Sequence, residues 1–538
     1  MQKRFRFTNI YAIAAIAVVG GALFGFDISS MSAIISTQHY LCYFNQGPNY
    51  WGQVTADNPK GHCSGPTAST QGGITAAMPG GSWLGALTSG FLTDKFGRNK
   101  AIRIGSGIWI IGSAITCGSQ GIAMLIVGRV INGFAVGICS AQVPVYISEL
   151  APPSKRGRLV GCQQWAITWG ILIMFYISYG SSFIGEENTP NAWRVPWGLQ
   201  AIPAVILLVG LCFMPESPRW LAKHNQWEEA ERVVAESHAS GDSAHPFVRK
   251  ELKEIRDVVE FENMNADVTY LELIKPHMIW RTHIGVFTQI WSQLTGMNVM
   301  MYYITYVFTM AGLSGNIMLI SSSISFVINV VMTIPALLWI DRWGRRIPLL
   351  VGGTLMATWM FTTGGLMGSY GHYVPGGIDG VGAASWSVSG PPATAVIATT
   401  YLFVASFAPT WGPVSWIYPP ELFPLRVRGK AVALCTSSNW AFNFALSYFV
   451  PPGLEQIQWR LYMVFGVFCA TMTIHVFFAF PETAGKTLEE VEGMFLEGQP
   501  AWKTKVVTKR TMALEQGDME SGERISYPAG VEKKRRTS

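Results

Sequence analysis

Twelve stretches, near 10–36, 72–93, 101–119, 122–143, 158–180, 195–214, 282–310, 317–340, 347–370, 394–418, 428–450 and 459–480, dominate this chain. Each supplies the roughly 20 mostly apolar residues that a helix needs to cross a bilayer. Hydrocarbon offers the backbone no hydrogen-bond partner, so a spanning segment closes its own bonds as a helix, and the short alternating segments of a membrane barrel are missing here. The expectation is an all-α polytopic membrane protein with twelve transmembrane helices. Composition agrees: 49% of the 538 residues are hydrophobic and only 13% are charged, about half the charged share of a soluble chain. The opening M-Q-K-R-F-R precedes an apolar run too long for a secretory signal, without an A-x-A-like cleavage site, that continues into Asp27; it reads as the first span.

The second half echoes the first. D-K-F-G-R-N-K at 94–100 returns as D-R-W-G-R-R at 341–346, S-K-R-G-R at 154–158 as R-V-R-G-K at 426–430, and P-E-S-P-R at 215–219 as P-E-T-A-G-K at 481–486. A parallel duplication predicts two six-helix pseudo-symmetric halves, and halves that rock around a site at their interface make a transporter. The expected organisation is an N-terminal bundle over 1–214, a cytoplasmic helical linker over 215–279, a C-terminal bundle over 280–485 and a mostly disordered cytoplasmic tail over 486–538. Of the 39 Lys and Arg, Lys60, Arg194 and Arg460 fall in gaps assigned outside and Arg129 lies within a span, while the rest gather on one face. That asymmetry is expected to place both termini in the cytoplasm. The net charge of +6 is therefore topological and implies no nucleic-acid partner. Cys42 and Cys63 lie in the long first outer loop, where a disulfide and two free thiols are both open.

G-A-L-F-G-F-D at 21–27, G-R-V-I-N-G-F-A-V-G at 128–137, P-E-S-P-R-W-L at 215–221, Q-L-T-G-M-N at 293–298, P-E-L-F-P at 420–424 and P-E-T-A-G-K-T-L-E-E at 481–490 stand in order along the chain. In this set the chain resembles the sugar porter family of the major facilitator superfamily, and most resembles its fungal proton-coupled hexose and pentose permeases. The resemblance implies the major facilitator fold, a monosaccharide substrate moved by alternating access, and no enzymatic activity, cofactor or metal.

A sugar offers hydroxyls that donate and accept around an apolar ring, so a reversible site needs neutral amides for its edges and aromatic rings for its faces. Gln293 and Asn298 are five residues apart on the seventh span, close enough for one wall. The resemblance extends the set to Gln164, Asn329 and Asn443 and to the aromatic residues Trp416 and Trp440, with Phe24 as a wall of the first span. Ser292 departs from the family pattern, where many members carry a second Gln, and exchanges a reaching amide for a short hydroxyl. That substitution retunes preference among sugars and leaves the substrate class unchanged.

Asp27 and Arg129 are ionisable residues within spans, costly in hydrocarbon unless paired. The resemblance makes Asp27 the proton site and Arg129 its partner in sugar:proton symport; a purely structural ion pair in a facilitator is the other reading, and a sensor that keeps the sugar site without transporting is a third. The repeated turns, with Asp94, Arg98, Arg158, Asp341, Arg345 and Arg428, are expected to form a cytoplasmic gate with Glu149, Glu216, Glu421 and Glu482. Turns flanked by topology-setting charges would use the same residues. His283 and His475 are isolated in apolar segments without a second ligand at metal spacing and read as packing or interface residues. No phosphate-binding loop, dinucleotide fingerprint or Ser/His/Asp set stands where its chemistry requires.

Overall fold

The computed structural model describes residues 9–46, 63, 65–152, 155–184, 190–264, 269–378, 381–486 and 488–504. The first span covers Ile10–Ile34, the second Ala68–Phe96, the third Arg98–Cys117, the fourth Ile122–Leu150, the fifth Arg156–Ser181 and the sixth Asn191–Leu211. The seventh is broken into Ile279–Leu294, Met297–Tyr302 and Ile304–Met310. Gly315–Trp343, Arg346–Tyr370, Pro391–Leu422, Leu425–Gln456 and Arg460–Ala479 complete the twelve. Among the described residues, eight spans are long and apolar enough to cross a membrane by length and composition alone. The second and eleventh are diluted by Gly, Ser, Thr and amide residues, the third opens on Arg98, Lys100 and Arg103, and the seventh is broken into short helices.

Small residues set how closely the helices pack. Gly81 and Gly85 on the second span meet Gly133 and Gly137 on the fourth, so tightly that a β-carbon at Gly133 would lie 2.0 Å from the Met78 carbonyl and one at Gly85 2.2 Å from the Phe134 carbonyl. The turns after the second and eighth spans use Gly97 and Gly344 with φ of 93° and 81°, a conformation other residues adopt only under strain.

Prolines inside spans lack an N–H, which frees the carbonyl four residues earlier for a neighbouring helix. Pro79 frees the Thr75 carbonyl, which lies 3.4 Å from the Arg129 guanidinium. Pro196 frees that of Ala192, which accepts from Ser181 Oγ at 2.7 Å. Pro451 frees that of Ser447, which accepts from Tyr303 Oη at 3.0 Å.

Between the halves, helices Pro218–Lys223, Trp227–His238 and Pro246–Met264 bury Ala230, Val233, Val234, Val248, Ile255 and Val259 on their shared faces. Cys42, on helix Gln38–Gln46, is disulfide-bonded to Cys63. Past the twelfth span, helix Leu488–Leu496 and a short turn Ala501–Lys503 are ordered, with Trp502 against Phe477 and Phe478. The expected disorder of the remaining tail lies outside the described residues.

Candidate substrate cavity and its gates

A cavity lies between the halves, with about 440 Å³ of space between its walls, open space included. Phe24, Gln164, Ser292, Gln293, Asn298, Asn329 and Trp416, all anticipated from sequence, are in its wall, together with Asn439, Ser415 and the apolar Ile28, Ile167, Ile171, Met297, Met301 and Phe407. Breaks in the seventh and tenth spans bring this about: Gly296 (φ 84°) interrupts the helix between Gln293 and Asn298, and Trp416 follows the break after Phe407. The amides form a chain. Asn298 Nδ2 donates to Gln293 Oε1 at 2.8 Å, Gln293 Nε2 to Asn439 Oδ1 at 2.9 Å, and Asn439 Nδ2 to Gln289 Oε1 at 2.6 Å and Ser292 Oγ at 3.2 Å. Across the interface Trp416 Nε1 donates to Gln164 Oε1 at 3.0 Å. Asn329, in the same wall, is 2% exposed and its Oδ1 has no protein partner.

Two anticipated residues stand outside this wall. Trp440 braces the halves, donating to Ser140 Oγ at 3.0 Å and meeting Phe24 edge-on with ring centroids 4.7 Å apart. Asn443, one turn further on, accepts from Ser447 Oγ at 3.0 Å and leaves its Nδ2 without a protein partner. Asn439 and Gln289 were missed. Both sit four residues from an anticipated amide, Asn443 and Gln293 respectively, which places them on the same helix face and was the signal available.

Asp27 and Arg129 face one another with Nη2 to Oδ2 at 3.0 Å and Nη1 to Oδ1 at 3.2 Å, each 1% exposed. Arg129 Nε also donates to the Ile74 carbonyl at 2.9 Å. A two-pronged pair completed by helix carbonyls is the arrangement that lets a guanidinium and a carboxylate remain charged out of water. Asp27 is adjacent to Ile28 and one turn from Phe24, both in the cavity wall.

The repeated turns build one device twice. In the first half, Arg98 Nη2 contacts Glu149 at 3.0 Å, and Glu216 accepts from the backbone N–H groups of Arg98 at 2.8 Å and Asn99 at 3.0 Å at the start of the third span. In the second, Arg345 contacts Glu421 at 2.6 and 3.0 Å and Asp341 at 3.1 Å, while Glu482 accepts from the N–H groups of Arg345 at 2.8 Å and Arg346 at 3.0 Å before the ninth span. Carboxylates at these helix starts satisfy orphan N–H groups and complement the dipole. Burial pushes the Glu216 carboxyl above its usual range, against the opposing pull of the Asn99 and Ser217 N–H groups and of Arg98. Tyr146 and Tyr418 repeat the symmetry, donating to the carbonyls of Pro215 and Pro481 at 2.6 Å each. Arg158 is exposed, and Arg428 is buried against the Phe423 carbonyl at 3.2 Å.

The halves touch on both sides of the cavity. On the basic face Lys430 Nζ is 3.6 Å from Asp94, and a β-carbon at Gly157 would lie 2.5 Å from Asp341. On the opposite face Thr305 Oγ1 donates to the Ser32 carbonyl at 3.3 Å and Tyr176 Oη to Ser323 Oγ at 3.2 Å. One expectation is corrected. His283 and His475 are not isolated: their Nε2 atoms lie 3.0 Å apart, and Trp291 Nε1 donates to His475 Nδ1 at 2.7 Å, joining the seventh and twelfth spans.

Residues 13–495 match the family described as "Sugar (and other) transporter". The chain is 46% identical to a high-affinity glucose transporter of Kluyveromyces lactis over 92% of this chain and 87% of the relative, and 45% identical to the MFS glucose transporter mfs1 of Aspergillus flavus over 96% of each. The proton:xylose symporter XylE, solved with 6-bromo-6-deoxy-D-glucose, superposes with a TM-score of 0.72 at 26% identity, covering 90% of this chain and 99% of XylE. A duplicated twelve-helix bundle around an amide-lined void and a family match across nearly its whole length place this chain in the sugar porter family of the major facilitator superfamily, as a multi-pass sugar transporter and not an enzyme.

Proposed function

We propose that the protein is a plasma-membrane monosaccharide:proton symporter, with both termini cytoplasmic, that works by alternating access. The observation that carries this reading is the buried Asp27–Arg129 pair one residue from the cavity wall. Sugar hydroxyls bind Gln164, Gln293, Asn298, Asn329 and Asn439, and the ring stacks on Trp416 with Phe24 and Phe407 as apolar walls. Protonation of Asp27 removes half of the ion pair, releases Arg129 to the carbonyls of Ile74 and Thr75, and lets the first span close on the ligand through Phe24 and Ile28. The gate pairs Arg98–Glu149 and Arg345–Glu421 hold the cytoplasmic side shut while the outer side admits sugar, and break as the halves rock.

Glucose, named for the two fungal relatives, and xylose, named for XylE, are the substrates to try first. The test is uptake of labelled glucose into vesicles with and without an inward proton gradient. Gradient-driven accumulation in the wild type, lost in Asp27→Asn while sugar exchange persists, is expected. The helix carbonyls that complete the Arg129 site also suit a structural tie, and accumulation that ignores the gradient in the wild type would make the protein a facilitator.

A further inference from the structure

Gln289 is 2% exposed and stands behind the cavity wall, yet the direction of the whole amide chain runs through it. Pro419 lies inside the helix Trp411–Leu422 and supplies no N–H, so the Ser415 carbonyl, four residues earlier, is free of the helical ladder. Gln289 Nε2 donates to that carbonyl at 2.8 Å. A carbonyl oxygen can only accept, so the amide has one orientation there, with Oε1 toward Asn439. Asn439 must then present Nδ2 to Gln289 at 2.6 Å and Oδ1 to Gln293 Nε2 at 2.9 Å, and Gln293 must present Oε1 to Asn298 Nδ2 at 2.8 Å. Reversing any one amide sets two donors or two acceptors face to face. The chain therefore leaves Asn298 Oδ1, the second N–H groups of Asn298 and Gln293 and the unused lone pair of Asn439 Oδ1 as the groups it can offer a ligand.

We propose that Gln289 is a positioning residue for substrate recognition: held by the carbonyl that Pro419 frees, it fixes which atoms of Gln293, Asn298 and Asn439 face the sugar. This rests on the sugar-site reading above. It also gives Ser292 a reason, since its hydroxyl donates to the Gln289 backbone carbonyl at 2.8 Å and so accepts the second Asn439 N–H at 3.2 Å.

The test is equilibrium binding of D-glucose and of its monodeoxy analogues to the purified full-length protein between pH 5 and 9, each variant expressed as a ratio to wild type at the same pH. Gln289→Met keeps the volume and removes both polar atoms; it is expected to weaken glucose about tenfold, and to bring glucose and at least one deoxy analogue together, because a misoriented amide no longer rewards the hydroxyl it faced. Gln289→Glu is expected near wild type at the acid end, where the protonated carboxyl carries one donor and one acceptor as the amide does, and about tenfold weaker at the alkaline end, where two acceptors would meet at Ser415. Pro419→Ala, which returns an N–H to the Ser415 carbonyl, should weaken binding in the same direction. Wild-type affinity in Gln289→Met, or an equal loss for glucose and every deoxy analogue with no pH dependence in Gln289→Glu, would overturn the positioning role. A wild type that binds no monosaccharide would instead remove the sugar-site reading itself.

Discussion

Breaking the two basic-face pairs separately should open the protein to different extents. Arg345 and Glu421 are 4% and 23% exposed at their side chains and meet through two contacts, whereas Arg98 and Glu149 are 14% and 8% exposed and meet through one. Removing one partner of a buried, doubly bonded pair typically costs about 3 kcal/mol, and losing a single hydrogen bond to a charged group about 1.5 kcal/mol. If these contacts exist only while the basic face is closed, Arg345→Met shifts the closed-to-open ratio by roughly 100-fold and Arg98→Met by roughly tenfold. Spin labels at Lys95 and Arg342, both exposed beside the repeated turns of opposite halves, report the opening as a longer distance by pulsed electron resonance. The Arg345 variant should populate the long distance, the Arg98 variant should do so weakly, and the exchange Arg345→Glu with Glu421→Arg should restore part of the closed population. Equal distance distributions in wild type and both variants would refute the gate, and equal opening by the two variants would refute the ranking by number of contacts.

Two further outcomes follow from packing and from burial. Gly133→Leu puts its β-carbon 2.0 Å from the Met78 carbonyl in an interface where Gly also fills the opposing positions, so helix separation is the only relief; the variant should lose monodisperse protein on size exclusion, while the exposed lipid-facing Val127→Leu should not. His238, on the linker, contacts Phe247, and burial pushes its imidazole below the usual 6.5, against the pull of Glu251 and the Leu150 carbonyl. A lowered histidine contributes stability that is present above 6.5 and is lost as pH falls through the folded value, so the melting temperature should drop between pH 7.5 and 5.5 and drop less in His238→Gln.

Much of the architecture was legible because the bilayer leaves so few options: apolar length gave the spans, and the duplicated Asp-x-x-Gly-Arg turns gave the two halves. Gln293 and Asn298 were legible from their spacing on one span, and Gln164 and Asn329 only through the resemblance to the sugar porter family. Asn439 escaped because Asn443 on the same face had already been assigned a role, and Gln289 because a residue that orients others leaves no mark of its own on composition. The contact of His283 with His475 joins residues 192 apart, and only the packing of the seventh span against the twelfth reveals it. Proline positions show which carbonyls are free, as at Thr75 and Ser447, but the donor that each receives comes from another helix.

The central claim is that sugar sits among uncharged amides where the halves meet. A structure determined with bound D-glucose tests it most directly. Ring density within hydrogen-bond reach of Gln164 from one half and Gln293, Asn298 or Asn329 from the other, with Trp416 against its face, is the predicted result; sugar bound elsewhere, with this cavity filled by side chains, would contradict the account.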